Sequence, residues 1–333
     1  IHHSDVCFVS TDDGKTWERE TSWYFDSYPS IIRLQNGDLL KSVYTSEYSQ
    51  MYTSSDDGAT WTFAGNVCRR LHPDTKALMA GNMNDKLTQI SSGRIFFVQG
   101  YQSKVFETIG STYPITVCCE IFYSDDNGRT WTQSKTASYT MPGNTGEQRS
   151  GEGKIIECAG GVLRYMCSWN DYDCMFYSES TDNGVTWEAI HKMTDFKCTE
   201  SSMAIVRDPY GPTNYTYYMV WCYDKTATGV DEGMPRSRLA LAYTTDGKNW
   251  KYLGDIWCWE SGYYGTALLN HIVDPFIYVT ENSVIIGSGI SEKAPTTGEP
   301  AVAFNYHQAQ RQHIWSIEKS SLSAYSSWPS VQY

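Results

Sequence analysis

Short apolar runs, joined in pairs by polar turns that contain glycine, recur along most of the chain. The clearest pair is residues 29–34 and 39–44, which are separated by the turn Gln35-Asn36-Gly37-Asp38. Runs of this length, bounded by glycine and asparagine, favour antiparallel β-strands over helices. Similar pairs start near residues 82, 152, 200 and 271. The pattern therefore predicts five units, each of which contributes two neighbouring strands.

An octapeptide of the form Ser-x-Asp-x-Gly-x-Thr-Trp accompanies these units. Its copies span residues 10–17, 54–61, 124–131 and 180–187, with a shortened copy at 244–250. In each copy the Asp can accept hydrogen bonds from the backbone of the turn, and the Gly can adopt a positive φ. The closing Trp is expected to anchor the turn in apolar packing. Each copy predicts a hairpin turn, and the spacing leaves room for one four-stranded antiparallel unit per copy.

This repetition predicts an all-β fold, a β-propeller, formed as a single domain over residues 1–333. Five full units and one outer hairpin within residues 1–24 favour six blades, the hairpin belonging to an incomplete or ring-closing blade. A five-bladed ring with an extra hairpin is the alternative. The unit that starts near residue 271 lacks the octapeptide.

The octapeptide resembles the Asp-box of sialidases and of other propeller glycosidases such as the fungal exo-arabinanases. The resemblance covers nearly the whole chain and implies a sialidase-like six-bladed propeller with glycosidase activity. In these families the Asp-box lies on the outer strands, far from the substrate. The repeat therefore indicates the fold and says little about the chemistry.

Composition and charge narrow the expected partners. The 333 residues carry a formal net charge of −12, whereas nucleic acids are held by clustered Lys and Arg, so no nucleic acid is expected to bind. The sequence has no apolar run long enough to span a membrane and no leader sequence at Ile1, so no membrane partner is expected. We expect a soluble protein, either secreted or cytoplasmic. The sequence leaves its oligomeric state open.

The sequence gives no sign of a cofactor. The ten cysteines form no C-x-x-C pair, and several lie in apolar runs, where a buried thiol is the usual state. Disulfides stay open if the protein is secreted. There is no zinc, phosphate-loop or nucleotide motif. A structural Ca²⁺ bound by carboxylates is the one metal that the sequence leaves open.

In a propeller the innermost strands line the axis, and the loops that lead into them gather at one mouth. We call the residues at the entry to each inner strand the mouth segments, which are residues 26–29, 82–86, 149–154, 198–202 and 270–274. Every one of the five segments contains an acidic residue. Cleavage of a glycosidic bond commonly uses two carboxyl groups, one as acid and the other as nucleophile or base. We predict four candidate catalytic residues, Asp26, Glu152, Glu200 and Asp274.

Glu152 is the best single candidate because residues 151–163 resemble the part of sialidases in which an axial Glu precedes an inner strand and turn. The exo-arabinanases carry a catalytic Glu at a similar place. Asp274 lies roughly where sialidases have a nucleophilic Tyr, and Asp26 belongs to the blade in which they have an acidic Asp. Glu200 starts the next blade and could face Glu152 across the axis.

Aromatic and basic side chains near the mouth segments are predicted to bind substrate: Tyr28, Lys86, Arg149, Trp169, Arg236 and His271. Flat rings pack against the C–H faces of sugars. Sialidases also hold the carboxylate of their substrate with three arginines. This chain has Ser27 and Cys167 where the first two are expected, and only Arg236 near the third position. Because Ser and Cys cannot form a bidentate clamp, ordinary sialidase activity is not expected.

Three functional hypotheses follow. The leading one is an exo-acting glycoside hydrolase that uses Glu152 and one of the other three candidate carboxylates. The second is a polysaccharide lyase that acts on a uronic-acid glycan, with His271 or a Tyr as base. The third is a non-catalytic propeller that binds carbohydrate.

Overall fold

The computed structural model of the chain describes thirteen segments. They are residues 7–20, 30–45, 47–69, 87–99, 116–117, 120–136, 139–140, 153–167, 174–198, 203–223, 238–258, 272–291 and 310–322.

Strand pairing groups most of these segments into sheets of four antiparallel strands. Near the start, β1 (Cys7–Val9) and β2 (Glu18–Glu20) form a separate hairpin. Blade 1 contains β3 (Ile31–Arg33), β4 (Leu39–Tyr44), β5 (Tyr48–Ser54) and β6 (Thr62–Arg69). Blade 2 contains β7 (Leu87–Gln89), β8 (Ile95–Gln99), β10 (Glu120–Ser124) and β11 (Thr132–Gln133).

Two further sheets have the same order. Blade 3 contains β14 (Lys154–Cys158), β15 (Val162–Cys167), β16 (Met175–Ser180) and β18 (His191–Met193). Blade 4 contains β19 (Ala204–Arg207), β20 (Tyr217–Tyr223), β21 (Arg238–Thr244) and β22 (Lys251–Cys258).

The remaining elements are smaller. Blade 5 has three described strands, β23 (Ile272–Val279), β24 (Ser283–Ser291) and β25 (Gln310–Glu318). Two minor pairs are β9 (Thr116–Val117) with β13 (Tyr139–Thr140) and β12 (Lys135–Thr136) with β17 (Thr186–Trp187), the second pair being parallel. One short helix, α1 (Lys319–Leu322), follows β25. Within the described segments, no helix is long and apolar enough to cross a membrane.

The fold is the predicted all-β propeller with four-stranded antiparallel blades, and the predicted inner strand pairs are all present. The predicted number of six blades is wrong for the described part of the chain, which contains five. The first Asp-box there connects β1 and β2, which pair only with each other as a two-stranded sheet.

Contacts divide the chain into two compact units. Unit 1 comprises residues Ile1–Phe8, Arg19–Asn170 and Phe176–Lys192, and unit 2 comprises Val9–Glu18, Asp171–Met175 and Met193–Tyr333. Blades 1 and 2 lie in the first unit, and blades 4 and 5 lie in the second. The single domain over residues 1–333 stays a prediction.

The second strand of a blade is buried on both faces, which explains its apolar sequence. All five residues of β8 and all seven residues of β20 are buried. In unit 1, the core joins Leu40 and Met51 of blade 1 to Ile95 and Phe97 of blade 2. In unit 2, a similar core contains residues of β20, β21, β23 and β24. Apolar burial between neighbouring blades is the main favourable term in this fold.

The Asp-box turns have the predicted hydrogen bonds. In the second copy, the Ser54 hydroxyl donates to Asp56 and accepts from the Gly58 amide, while the Thr60 amide and hydroxyl both donate to Asp56. The glycines at this position have positive φ, as do Asp13, Asp57, Asn127 and Asn183 before four of them. In the shortened fifth copy, Asn249 replaces the threonine as donor to Asp246.

Three of the Asp-box glycines also pack against the second strand of the blade before them. A β-carbon on Gly128 would lie 2.9 Å from Leu40 of blade 1, and one on Gly184 would overlap the Phe96 ring of blade 2. The first Asp-box shows the same relation, because a β-carbon on Gly14 would lie 2.8 Å from Ile285 in β24. The β1–β2 hairpin therefore packs on blade 5 as the Asp-boxes of blades 2 and 3 pack on blades 1 and 2.

Helix α1 stands where an Asp-box would follow the third strand of blade 5. Leu322 is buried in the core that blades 4 and 5 share. The Lys319 ammonium donates to the buried Asp208 carboxylate at 2.8 Å. This apolar and ionic contact connects blade 5 to blade 4 in place of an Asp-box glycine.

We predict that Gly184→Ala destabilises the protein more than Gly161→Ala does. Both glycines have positive φ, but the space around Gly161 is open. The control change should lower the free energy of unfolding by about 1–2 kcal/mol through backbone strain alone. Gly184→Ala should cost about 1–3 kcal/mol more, because its β-carbon overlaps Phe96. Denaturant unfolding of both variants measures the difference, and equal losses would contradict the packing role.

We also predict a pH-dependent contribution from Asp56. Hydrogen bonds from the hydroxyls of Thr60 and Ser54 lower the pKa of Asp56 from 3.8 to about 2. A folded-state pKa below the unfolded value stabilises the protein above the unfolded pKa, and this stabilisation disappears as the pH falls toward 2. The difference in unfolding free energy between wild type and Asp56→Asn should therefore shrink between pH 4 and pH 2.

Unfolding titrations at several pH values test this expectation. Asp195→Asn is the matched control, because Asp195 is exposed in the turn after β18. A difference between wild type and Asp56→Asn that stays constant down to pH 2 would show that the carboxylate bonds contribute nothing.

Candidate active site

The candidate catalytic and substrate-binding side chains lie outside the part of the chain whose side chains are described. This holds for Asp26, Tyr28, Lys86, Arg149, Glu152, Trp169, Glu200, Arg236 and His271. The backbone of Asp274 is described, within β23. The described residues instead show how the strands that follow the mouth segments are held.

Each predicted inner strand is the first strand in the order of its sheet, as the mouth assignment requires. Lys86 directly precedes β7, and Glu152 precedes β14 by two residues. Each mouth segment ends at or near the start of its inner strand, so the positions of these strand starts fix one end of each segment.

Hydrogen bonds join the starts of the inner strands in blades 1 to 3. The Ser30 hydroxyl, next to β3, accepts a bond from the Leu87 amide at 3.2 Å. The Lys154 ammonium, at the start of β14, donates to the Leu87 carbonyl at 2.9 Å. Ser30 also exchanges bonds with Ser42 of β4. Since all four residues are buried, these bonds fix the lateral spacing of three strand starts.

A second buried contact lies at the same end of blades 1 and 2. The Ser49 hydroxyl at the start of β5 donates to the Gln99 side chain at the end of β8, at 2.9 Å. Buried polar groups are costly unless they are paired. This pair therefore adds a specific link between the two blades beside the inner strands.

Asp274 lies inside an inner strand, whereas the sequence predicted that it precedes one. Val273 pairs with Gly289 and Phe276 pairs with Gly287, so Asp274 and Pro275 together oppose Ser288 alone. This is a β-bulge, and it has a simple cause, because Pro275 has no amide hydrogen to donate to the sheet. Bulges frequently redirect a side chain beside an active site.

Blade 4 contains an ionic cluster that sequence reasoning missed. The Asp255 carboxylate of β22 accepts bonds from the hydroxyls of Tyr223 at 2.9 Å and Tyr252 at 2.5 Å, and it pairs with Arg238. Burial, together with the bond to Asp255, raises the pKa of Tyr252, so its hydroxyl stays a donor at neutral pH. Tyr223, Arg238 and Tyr252 come from three different strands. The only local signal of the cluster in the sequence was one charged residue in each of two apolar runs, Arg238 and Asp255.

Three of the described arginines have carboxylate partners within the protein, so their charges are not free to clamp the carboxylate of a substrate. Arg94 pairs with Asp125 at 2.7 Å and Arg164 with Glu179 at 2.6 Å, while Arg238 pairs with Asp255. Cys167, which stands at the expected place of the second sialidase arginine, is fully buried at the end of β15. These arginine charges are compensated within the fold.

The described residues offer no evident metal site. No group of three or more His, Cys, Asp or Glu side chains among them is arranged to hold a metal ion. The mouth carboxylates are not part of that set, so the absence of a cofactor and the structural Ca²⁺ both stay as predictions from the sequence.

Comparison with known proteins supports the Asp-box interpretation. The family model of the BNR repeat-like domain matches residues 40–266, and that of the BNR/Asp-box repeat matches residues 8–19. A sialidase of Paraclostridium sordellii is 28% identical over 219 residues, which are 58% of this chain and 52% of the relative. The chain thus spans about half the length of this curated relative.

Two solved structures share the fold. The Hadza microbial sialidase Hz136 has a TM-score of 0.61 and 14% identity, with 94% of this chain and 59% of that chain covered. The α-L-arabinofuranosidase Arb93A of Fusarium graminearum has a TM-score of 0.57 and 14% identity, with 96% and 86% covered. At such low identity the likeness shows the fold alone.

We predict that Lys154→Met loosens the start of β14. Without the ammonium, the buried Leu87 carbonyl loses a donor, which should lower the free energy of unfolding by about 1–3 kcal/mol. Lys251→Met is the matched control, because Lys251 is exposed at the start of β22. Chemical denaturation of the two variants decides the matter, and a loss no greater than that of the control would contradict the linking role.

Proposed function

This chain belongs to the family of the BNR repeat-like domain, and from that premise we propose that it is an exo-acting glycoside hydrolase. It removes terminal sugars from a glycan at the mouth of the propeller. Glu152 acts as one member of a carboxyl pair, and one of Asp26, Glu200 and Asp274 acts as the other. One carboxyl group protonates the leaving oxygen, while the other attacks the sugar or activates water.

The observation that carries the proposal is the hydrogen-bonded row of Ser30, Leu87 and Lys154. It supports a mouth where segments from three blades approach one another, each with an acidic residue shortly before its inner strand. Chemistry at a glycosidic bond needs carboxyl groups held at a defined separation. Strand starts with fixed spacing are a suitable framework for such a pair.

The substrate class follows from the arginines. The P. sordellii relative is a sialidase, but Cys167 and the segment Ser27-Tyr28-Pro29 supply no arginine for a carboxylate clamp. Three of the described arginines, Arg94, Arg164 and Arg238, pair with carboxylates of the protein itself. We therefore infer a terminal sugar whose recognition does not depend on three arginines, and an arabinose-type sugar is consistent with the fold shared with the F. graminearum enzyme.

Substrate contacts are assigned to residues in or near the mouth segments. Tyr28 and Trp169 provide ring faces for the sugar, and His271 hydrogen-bonds to its hydroxyl groups. Lys86, Arg149 and Arg236 hold polar or acidic groups of the glycan that follow the terminal sugar. Carbohydrate is thus the proposed partner.

We predict that Glu152→Gln abolishes turnover and leaves glycan binding intact. The amide has nearly the same shape as the carboxyl group but can neither donate an acidic proton nor act as a nucleophile. The assay is turnover of wild type and variant on aryl glycosides, sialosides, arabinans and uronic-acid polymers, with product analysis. Glu157→Gln is the control, because Glu157 bonds to Ser91 on the turn between inner strands, away from their starts.

The outcomes separate the hypotheses. Loss of at least about a hundredfold in kcat for Glu152→Gln alone supports the hydrolase. An unsaturated product that absorbs in the ultraviolet would identify a lyase instead. Binding of glycan by wild type without turnover of any substrate would contradict the enzyme assignment and favour a carbohydrate-binding propeller.

A further inference from the structure

The residue after Glu152 is in close contact with a buried aromatic ring. Gly153 is buried, and a β-carbon placed on it would overlap the ring and hydroxyl end of Tyr165 in β15. Tyr165 itself has no exposed surface. Its strand neighbour in the sheet is Ile155, so its ring extends along β14 toward the strand start. The ring tip therefore rests directly on the backbone that leads out of β14 to Glu152.

The neighbouring residue is held from blade 2. Lys154 follows Gly153, and its ammonium donates to the Leu87 carbonyl of β7 at 2.9 Å. Successive residues of a strand point to opposite faces. The Tyr165 ring thus lies on the face to which a side chain at residue 153 would point. The Leu87 carbonyl accepts its bond from the Lys154 side chain on the opposite face. The start of β14 is held on both of its faces.

We propose that Tyr165 is a positioning residue for Glu152, and that residue 153 is glycine so that the Tyr165 ring can support the backbone there. This positioning role rests on the proposed glycoside hydrolase function, whereas the contact between Tyr165 and Gly153 does not. Tyr165 would touch no substrate. It acts through the backbone of Gly153, by limiting the directions in which the chain can leave the first residue of β14.

The physical reason is the precision that a carboxyl pair requires. A displacement of about 1 Å in a reacting group can lower a rate about a hundredfold without weakening substrate binding. A rigid ring that is packed in a blade and touches the backbone of Gly153 limits the conformations of the chain at that point at little cost in entropy.

The test compares Tyr165→Leu with Tyr218→Leu. Tyr218 is also a buried ring in the second strand of its blade, β20, within the core that blades 4 and 5 share, so its loss reproduces a packing defect in unit 2. Hydrogen exchange of the amides of residues 152–155 is measured first. Tyr165→Leu should accelerate exchange there about tenfold or more relative to wild type, whereas Tyr218→Leu should leave these amides unchanged.

Kinetics form the second arm, on the substrate that wild type cleaves. Tyr165→Leu should lower kcat about tenfold or more with KM within about twofold of wild type. Gly153→Ala should lower kcat to a similar extent. The double variant Gly153→Ala with Tyr165→Leu should have a higher kcat than Gly153→Ala alone, because the smaller side chain at residue 165 leaves room for the added methyl group.

Each result has a definite meaning. Equal exchange of residues 152–155 in Tyr165→Leu and Tyr218→Leu, or an equal fall in kcat in both, would overturn the positioning role. If wild type cleaves no glycoside, the proposed function fails, and the exchange measurement still decides whether Tyr165 holds the start of β14. If exchange rises but Glu152→Gln retains turnover, the positioning stands and the catalytic role of Glu152 fails.

Discussion

Close packing of an Asp-box glycine on the second strand of the preceding blade, seen in three of the five copies, is the constraint on which the fold depends. Gly128 on Leu40, Gly184 on Phe96 and Gly14 on Ile285 repeat one contact in which a β-carbon has no room. In the turn, the Ser54 hydroxyl accepts a hydrogen bond from the amide of Gly58, which has the left-handed conformation. Blade 5 replaces this contact with α1, where Leu322 and Lys319 make the corresponding apolar and ionic contacts.

This arrangement separates the rigid part of each blade from the part assigned to chemistry. The Asp-boxes lie at one end of the strands, while the starts of the inner strands lie at the other. Evolution can then vary the mouth segments without disturbing the turns that join blades. The buried bonds among Ser30, Leu87 and Lys154 show how the mouth end is nevertheless held in register, through the backbone of Leu87 and the side chains of Ser30 and Lys154.

The sequence pattern was sufficient to predict those features of the fold that depend on residues close together in the chain. The Asp-box bonds and the inner strand pairs follow from residue type and spacing, so the sequence predicted both. It also placed Glu152 just before an inner strand. Blade number was harder, because the β1–β2 hairpin carries the same motif as a complete blade. The bulge at Asp274 depends on Pro275 within its sheet, and the Asp255 cluster joins three strands. Such long-range pairings leave little trace in a single sequence, which is why they were missed or misplaced.

The central claim is that a terminal sugar binds at the mouth, beside the start of β14. A crystal structure of Glu152→Gln with an oligosaccharide cleaved by wild type tests it most directly. The account predicts the scissile glycosidic oxygen within hydrogen-bond distance of the residue 152 side chain, with a second carboxylate from Asp26, Glu200 or Asp274 on the sugar. A sugar bound instead at the Asp-box end, or on the outer strands of a blade, would contradict it.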